Sequence, residues 1–485
     1  MLTDIAHDPS IPTKPATHTA PLLTRHEVLA CATAWVSAGI FGSLWFADPD
    51  LWGHLRFGLD AVRDRVLTPG DPYSFTADVP WINHEWLSEV ILGVVYQWGG
   101  ITGLMLSKAF VTWAAFGLMA SHLRYTATPW RWWLAVLAIV ACGPMTITWR
   151  PQVWSVLALT CLAASTSASI RLRLITWPVL FVLWANLHGG WIVGLGVAAA
   201  WSAGRIIESN DWRSALPVGL SVIATLATPY GLDLWLFIWH TVGFDRGDIG
   251  EWQSTWAQGG KGLLWLVGVS ACALLWRRGV WTWSAALPVL MLAAASLRVG
   301  RLTGLFAIVV VMLLGSRLRG PAPAFPRALW VMLGIGAMVP TAFIMDAQTE
   351  CVSFAGTRPP DAAAAGALIG TTGRLMVPFD WGQYAIWHFS PALRVSFDGR
   401  RETVYSAERI AEQHQLTSGD LSMVPFIEEH APEYVWVPRP EGELLATYLV
   451  EIGYREDVRT EHSVILTRSD LPVISAAAPM SACFP

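Results

Sequence analysis

Through residue 347 the chain alternates long, almost uninterrupted apolar runs with short turns that carry arginine. Runs of about 20 mostly apolar residues have the length of a bilayer-crossing helix. They fall near 27–47, 103–123, 131–148, 151–170, 174–187, 190–208, 213–228, 262–276, 279–297, 302–316 and 327–346. A further stretch, 86–99, is short and follows a polar loop directly, so it reads as an amphipathic helix lying on the membrane surface. With the N-terminus inside, the arginine pairs 124/131, 171/173, 205/213 and 277/278 and the trio 317/319/327 all fall in cytoplasmic turns. Cytoplasmic loops do hold the excess of Lys and Arg. Counting 86–99 as a crossing would export several of these arginines. The pattern therefore predicts about eleven crossings, or thirteen with an added re-entrant pair.

Beyond residue 347 the periodicity changes. Short strand-like runs (Leu375–Val377, Val395–Phe397, Tyr434–Val437, Val464–Leu466) alternate with helix-like stretches near 360–370, 404–414 and 441–451. This alternation predicts a small α/β domain. The fold class expected is an α-helical polytopic membrane protein with a C-terminal exported α/β domain. Its parts are a disordered cytoplasmic tail (1–26), a multi-pass domain (27–347) whose outer loop 48–102 carries surface helices, and the exported domain (348–485). The first apolar helix reads as a retained signal anchor rather than a cleaved peptide.

Composition agrees with the membrane reading. Only 14% of residues are charged and 54% are hydrophobic, against about 25% charged in soluble domains. Tryptophans such as Trp45, Trp81, Trp130 and Trp149 sit at the ends of apolar runs, as interfacial anchors do. The net charge of −4 argues against a nucleic-acid partner. Four of the six cysteines lie in apolar runs, whereas Cys351 and Cys483 flank the polar C-terminal region and form a candidate disulfide if that region is exported.

The same orientation brings the chemically capable side chains to the outer face: Asp48, Asp50, His54, Asp71, His84, Glu85, Arg150, His188, Tyr230, Glu251, Arg298 and Arg301. Ionisable groups gathered at one membrane face suit a polar ligand there. A carboxylate at that boundary can act as general base or help bind a divalent cation. Capping is the plainer account of single acids, with Asp50 as a helix N-cap and Asp71 as a turn residue. Arg298 and Arg301, three apart, would share a helix face. With Arg150 they suit a phosphate at headgroup depth, or they snorkel. His188 precedes two glycines and would bond either substrate or backbone.

Several motifs together carry a resemblance. Asp48-Pro-Asp-Leu-Trp-Gly-His54, Asp71-Pro-Tyr-Ser-Phe-Thr76, Trp81-Ile-Asn-His-Glu-Trp-Leu87, Arg150-Pro-Gln152, Leu183-Trp-Ala-Asn-Leu-His-Gly-Gly190 and Phe397-Asp-Gly-Arg400 are similar to a group of bacterial multi-pass proteins of the GT-C superfamily. The resemblance spans about residues 27–470. It implies an inverting glycosyltransferase of the bacterial cytoplasmic membrane. The donor would be a polyprenyl-phosphate-linked sugar within the membrane lipid, and the acceptor a glycan, lipid or protein hydroxyl on the outer side. The implied catalytic acid is Asp48 or Asp50, tuned by Glu85, Asp71 or a cation, and a divalent cation stays open as cofactor. Two rivals remain. A transporter or flippase of a lipid-linked glycan predicts midplane charges and an internal repeat, and Lys108 is the clearest charge within a span. A non-catalytic envelope scaffold predicts that Asp48, Asp50 and Arg301 lie scattered.

Overall fold

The structure, a computed structural model, describes residues 24–67, 70–123, 126, 130–242, 246, 249–318, 341–348, 351–352, 354, 359–475, 480–481 and 483–484. The expected N-terminal tail, save for its last residues, and positions 327–340 of the run 327–346 lie outside the described residues, whereas 341–348 is helical.

Helix α1 (Arg25–Ser43) opens with a capping box in which Thr24 Oγ1 accepts from the Glu27 N–H and the Glu27 carboxylate accepts from the Thr24 N–H. The helix thus begins two residues earlier than hydropathy suggested. Helix α2 (Leu51–Asp64) follows the acidic motif, and α3 (Trp86–His122) follows the polar loop. Gly100 interrupts α3 at φ 55° and ψ −146°, a conformation open to glycine and strained for other residues. The break divides 86–99 from the crossing beyond it. His54 of α2 hydrogen-bonds Glu89 in this first segment at 2.9 Å, so the two lie side by side.

The remaining bundle comprises α4 (Trp130–Thr146), α5 (Gln152–Ser165), α6 (Ile170–Leu187), α7 (Trp191–Ser209), α8 (Leu216–Ala224), α9 (Leu232–Val242), α10 (Gly260–Arg277), α11 (Trp283–Arg298) and α12 (Thr303–Val309). Helix α12 runs into a π-helical turn, Val310–Leu314, and every residue of this pair is buried. By length and composition three described helices are able to cross a membrane: Trp86–His122, Ile170–Leu187 and Gly300–Arg317. Trp130–Thr146, Gln152–Ser165 and Trp283–Arg298 are shorter apolar helices.

One expected span is broken. The run 213–228 becomes a 3-10 turn (Trp212–Ala215) and the nine-residue α8. Pro217 sits in the first turn of α8, and Pro229 disfavours helical geometry at Thr228, so the apolar run cannot stay one regular helix. Between the apolar runs 213–228 and 262–276 the chain forms α9.

The C-terminal part forms one five-stranded sheet of order β2-β1-β3-β5-β4. Its strands are β1 (Gly373–Met376), β2 (Leu393–Val395), β3 (Tyr434–Pro438), β4 (Tyr454–Arg459) and β5 (Ser463–Arg468). β2, β1 and β3 are parallel, and β5 and β4 continue antiparallel. β4 was not evident in the sequence because Tyr-Arg-Glu-Asp-Val-Arg carries the charges that protect an edge strand. Helices Phe379–Phe389 and Val424–His430 were likewise not anticipated.

This sheet packs directly on the loop after α1. Trp45, Leu51, Trp52 and Leu55 share a hydrophobic core with Val352, Tyr384 and Trp436. The loop also pairs with the edge strand: Val395 N–H donates to Tyr73 O at 2.8 Å, and Phe75 N–H donates to Val395 O at 3.0 Å. A Cys351–Cys483 disulfide ties the entry of this region to its end.

Candidate active site

The bundle alternates in direction, so one of its ends collects the C-termini of α1, α4, α6 and α11 and the N-termini of α3, α5, α7, α10 and α12. Residues far apart in sequence meet there. Arg150, in the turn between α4 and α5, is the hub. Its Nε lies 2.5 Å from Asp48 Oδ2, its Nη2 2.6 Å from Asp50 Oδ2 and its Nη1 3.4 Å from Glu251 Oε1. Glu251 Oε1 also pairs with Arg301 Nη1 at 3.1 Å, and Arg301 lies over the Trp252 ring. Asp48, Asp50 and Arg301, whose scatter would have marked a scaffold, therefore converge.

The capping account of Asp50 does not hold. Asp50 occupies the N-cap of α2 but makes no side-chain capping bond, because its carboxylate is given to Arg150. Asp48 folds back locally, accepting the Asp50 N–H on Oδ1 at 3.0 Å, and is nearly buried. Burial pushes the Asp50 carboxyl up. Arg150 opposes that shift, Asp48 adds to it, and the outcome is about 6. Charge attraction has a different effect on Glu251: burial would raise it, but Arg301 and Arg150 hold it below the usual range. Burial opposes the charge of Arg150, yet Asp48, Asp50 and Glu251 hold its guanidinium protonated, well above its ordinary value.

A second cluster adjoins the first. Glu85, at the N-cap of α3, has His84 Nε2 and His188 Nε2 each 3.6 Å from Oε1 and His54 Nε2 3.9 Å from Oε2. Burial alone would raise Glu85, yet the imidazoles and Arg301 keep it lowered. His54 is opposed by burial but held near 9 by Glu89, Glu85 and Asp50. His188 goes the other way, to about 3, with burial as the largest cause. Its hydrogen bonds explain why it stays neutral. Nδ1 accepts from Gly190 N–H at 3.0 Å and faces Ser155 Oγ at 2.6 Å, while Ser155 Oγ accepts from Trp184 Nε1 at 2.8 Å. Ser155 must then donate to Nδ1, so the proton resides on Nε2, toward Glu85. Tyr230 borders this cluster through the Asn83 backbone, and burial raises its phenol to about 12.

Two expected residues stand elsewhere. Asp71 closes a buried cluster at the junction with the sheet, where Arg400 forks onto it at 2.7 and 2.9 Å and also contacts Asp398. Arg400 lies beneath Phe57, Tyr73 and Trp81, so this contact joins the domains. Arg298 is exposed at the end of α11. It does not share a helical face with Arg301, because Val299 is extended (φ −127°, ψ 100°) and a 3-10 turn follows.

Sequence reasoning passed over Glu89, Asn83, Ser155 and Lys261. Glu89 is one helical turn beyond Glu85, a spacing that places both on one face. Lys261, alone at the start of α10, lines a small cavity with Gln152, Glu251 and Arg301. The C-terminal domain reaches this end as well: a Cβ on Gly399 would stand 2.1 Å from Asp50 Oδ1. Lys108, the buried charge within α3, donates from Nζ to the Phe41, Gly42 and Leu44 carbonyls and so satisfies the C-terminus of α1. Among the described residues no group of three or more His, Cys, Asp or Glu is arranged to hold a metal ion, and both aspartates turn to Arg150 instead.

No protein-family model and no curated protein matches the sequence. Solved structures do match in fold. An oligosaccharyltransferase of Archaeoglobus fulgidus, AglB, in complex with an inhibitory peptide and a dolichol-phosphate, is 10% identical with a TM-score of 0.51, covering 85% of this chain and 69% of its own. A second structure of the Archaeoglobus fulgidus oligosaccharyltransferase, tethered to an acceptor peptide, gives 10% identity and a TM-score of 0.52 over 93% of this chain and 75% of that one. ArnT of Cupriavidus metallidurans bound to undecaprenyl phosphate is 12% identical with a TM-score of 0.50, covering 91% of this chain and 97% of that one. The chain shares its overall fold with these proteins.

Proposed function

We propose that this chain is a membrane glycosyltransferase that transfers a sugar from a polyprenyl-phosphate carrier to an acceptor hydroxyl at the outer face of a bacterial cytoplasmic membrane. The observation that carries the reading is the meeting of Asp48, Asp50 and Glu251 on Arg150, beside Arg301, at one end of the bundle. The fold shared with proteins solved bound to dolichol-phosphate and undecaprenyl phosphate supports it.

Asp50 is the base in this scheme. A carboxyl held near 6 is ionised at neutral pH yet basic enough to take a proton, which is the balance general-base catalysis needs. Asp48, more deeply buried and bonded to the Asp50 backbone, is a positioning residue. Asp50 removes the acceptor O–H proton, the freed oxygen attacks the anomeric carbon, and the bond from that carbon to the lipid phosphate oxygen breaks. A single displacement of this kind inverts the anomeric centre. The departing phosphate takes the negative charge, which Arg301 and Lys261, beside the cavity, stabilise electrostatically. Glu85 holds His188 and His84 in place and acts as a positioning residue. His54, Tyr230 and Glu251 border the donor, and Asp71 acts at a distance by fastening the C-terminal domain.

The test is sugar transfer from synthetic polyprenyl-phosphate sugars by purified protein in nanodiscs, comparing wild type with Asp50→Asn, Asp48→Asn and Arg301→Ala. Release of lipid phosphate that Asp50→Asn abolishes is the expected result. No turnover by wild type across a broad donor panel, with or without divalent cation, overturns the proposal.

A further inference from the structure

A larger cavity, about 960 Å³, lies at the opposite end of the bundle. Helices α5, α6, α7 and α11 join the two ends, and α7 alone spans about 27 Å at 1.5 Å per residue. The cavity is lined by Arg173 of α6, Arg205 of α7 and Arg317 after the π-turn, and no carboxylate is among its lining residues. Its volume is that of a small-molecule site.

Arg173 is the unusual member. It is only 8% exposed, and its Nε and Nη1 find no hydrogen-bond acceptor among the described residues. The guanidinium is fixed instead by its faces, with Cζ 4.5 Å from the Trp201 ring centroid and 5.9 Å from that of Trp177. Stacking occupies the faces of the guanidinium and leaves its edge to hydrogen bonding. A buried charged donor without an acceptor is costly, and the usual remedy is an anion that accepts from it. The neighbouring arginines are already supported. Arg205 pairs with Glu208 at 3.3 Å, and Arg317 donates to the Leu313 carbonyl at 3.0 Å. Glu208 in turn accepts from the Ser284 N–H at 2.7 Å and from the Ser284 hydroxyl. That carboxylate is therefore turned to Ser284, and the acid whose charge acts on Arg173 is Asp211, beyond the end of α7.

We propose that this cavity is a binding site for a phosphate-class anion, held by Arg173 with Arg205 and Arg317 as flanking charge. The chemistry is that of a phosphomonoester or phosphodiester, because a planar guanidinium offers two parallel N–H bonds to such a group. An anionic phospholipid headgroup and free phosphate both supply it. The site is separate from the Asp50 end and does not depend on the transferase reading.

The test uses the full chain purified in neutral detergent and needs no turnover. One arm counts retained lipids by native mass spectrometry after exposure to phosphatidylglycerol or phosphatidylcholine. The other follows the thermal midpoint in inorganic phosphate against chloride at equal ionic strength. Selective phosphatidylglycerol retention assigns the site to a lipid headgroup, and a phosphate-raised midpoint without retained lipid assigns it to free phosphate. In either case Arg173→Gln weakens binding by about tenfold or more. Arg205→Gln, a change at a half-exposed position, weakens it less, and so keeps the test alive should Arg173→Gln fold poorly. Arg277→Gln, the loss of an exposed charge at the same end, leaves it unchanged. Equal retention of both lipids with no phosphate effect in wild type overturns the proposal, as does an Arg277→Gln loss equal to that of Arg205→Gln.

Discussion

Replacing Asp50 by Asn separates catalysis from stability at a single atom. Asn keeps the volume and can still accept from Arg150 Nη2, while Arg150 retains Asp48 and Glu251. The ionised carboxylate is itself an unfavourable guest. Its folded-state value near 6 lies above the ordinary 3.8, so the folded state holds the proton more tightly than the unfolded chain does. Stability is therefore lost as pH rises between those values, and at pH 7.5 the charge costs at most about 2–3 kcal/mol. Removing it leaves the thermal midpoint unchanged or higher. Activity moves oppositely, because general-base catalysis contributes about 10²–10⁴-fold. In a single-turnover assay with a polyprenyl-phosphate sugar, Asp50→Asn is expected to lose about that factor in rate. The wild-type rate should fall on the acid side with a midpoint near 6, as Asp50 takes up its proton. A variant retaining more than about a tenth of the rate, or one that loses both rate and folding together, would refute the reasoning.

Three further outcomes follow from the same geometry. His54, held near 9 by its carboxylate neighbours, stabilises the fold fully below its unfolded value of 6.5 and loses that contribution as pH rises through 9. Thermal midpoints should fall across that window by up to about 3 kcal/mol of stability, and His54→Gln should flatten the decline. Arg400→Leu strands Asp71 and Asp398 without their shared cation, so a loss of about 3–5 kcal/mol is expected, read as accelerated proteolysis between the loop 65–85 and the sheet. Gly399→Ala places a methyl 2.1 Å from Asp50 Oδ1. Turnover should drop in that variant while circular dichroism shows the helical content intact, and an unchanged rate would mean that the C-terminal domain does not constrain Asp50.

Much of this protein follows from local sequence. The helices were legible because an apolar run must hydrogen-bond its own backbone within lipid, which ties length and hydropathy to a helix. The clustering of ionisable residues at one end was legible because charge is excluded from the interior of a span. Cys351 and Cys483 could be paired because they were the two cysteines outside apolar runs. Other features were hidden for equally physical reasons. β4 carries the charges of an edge strand, and the run 213–228 looked continuous because hydropathy does not register the geometry that Pro217 and Pro229 impose.

The site's connections were the work of tertiary structure. Asp50 reads as an N-cap in any local window, and only Arg150, 100 residues away, diverts its carboxylate. Asp71 reads as a turn residue and does serve as one, accepting the Tyr73 N–H at 2.9 Å, but its ion pair is with Arg400, 329 residues away. The proton position on His188 depends on Ser155 from the adjacent helix, and the placing of the Arg173 guanidinium depends on which rings stack against it. Hydropathy and helix propensity act over a few residues and so are written along the chain. Ion pairing and desolvation depend on what folding brings within a few ångströms, and for these groups that was settled by the packing of the bundle and of the C-terminal sheet against the loop after α1.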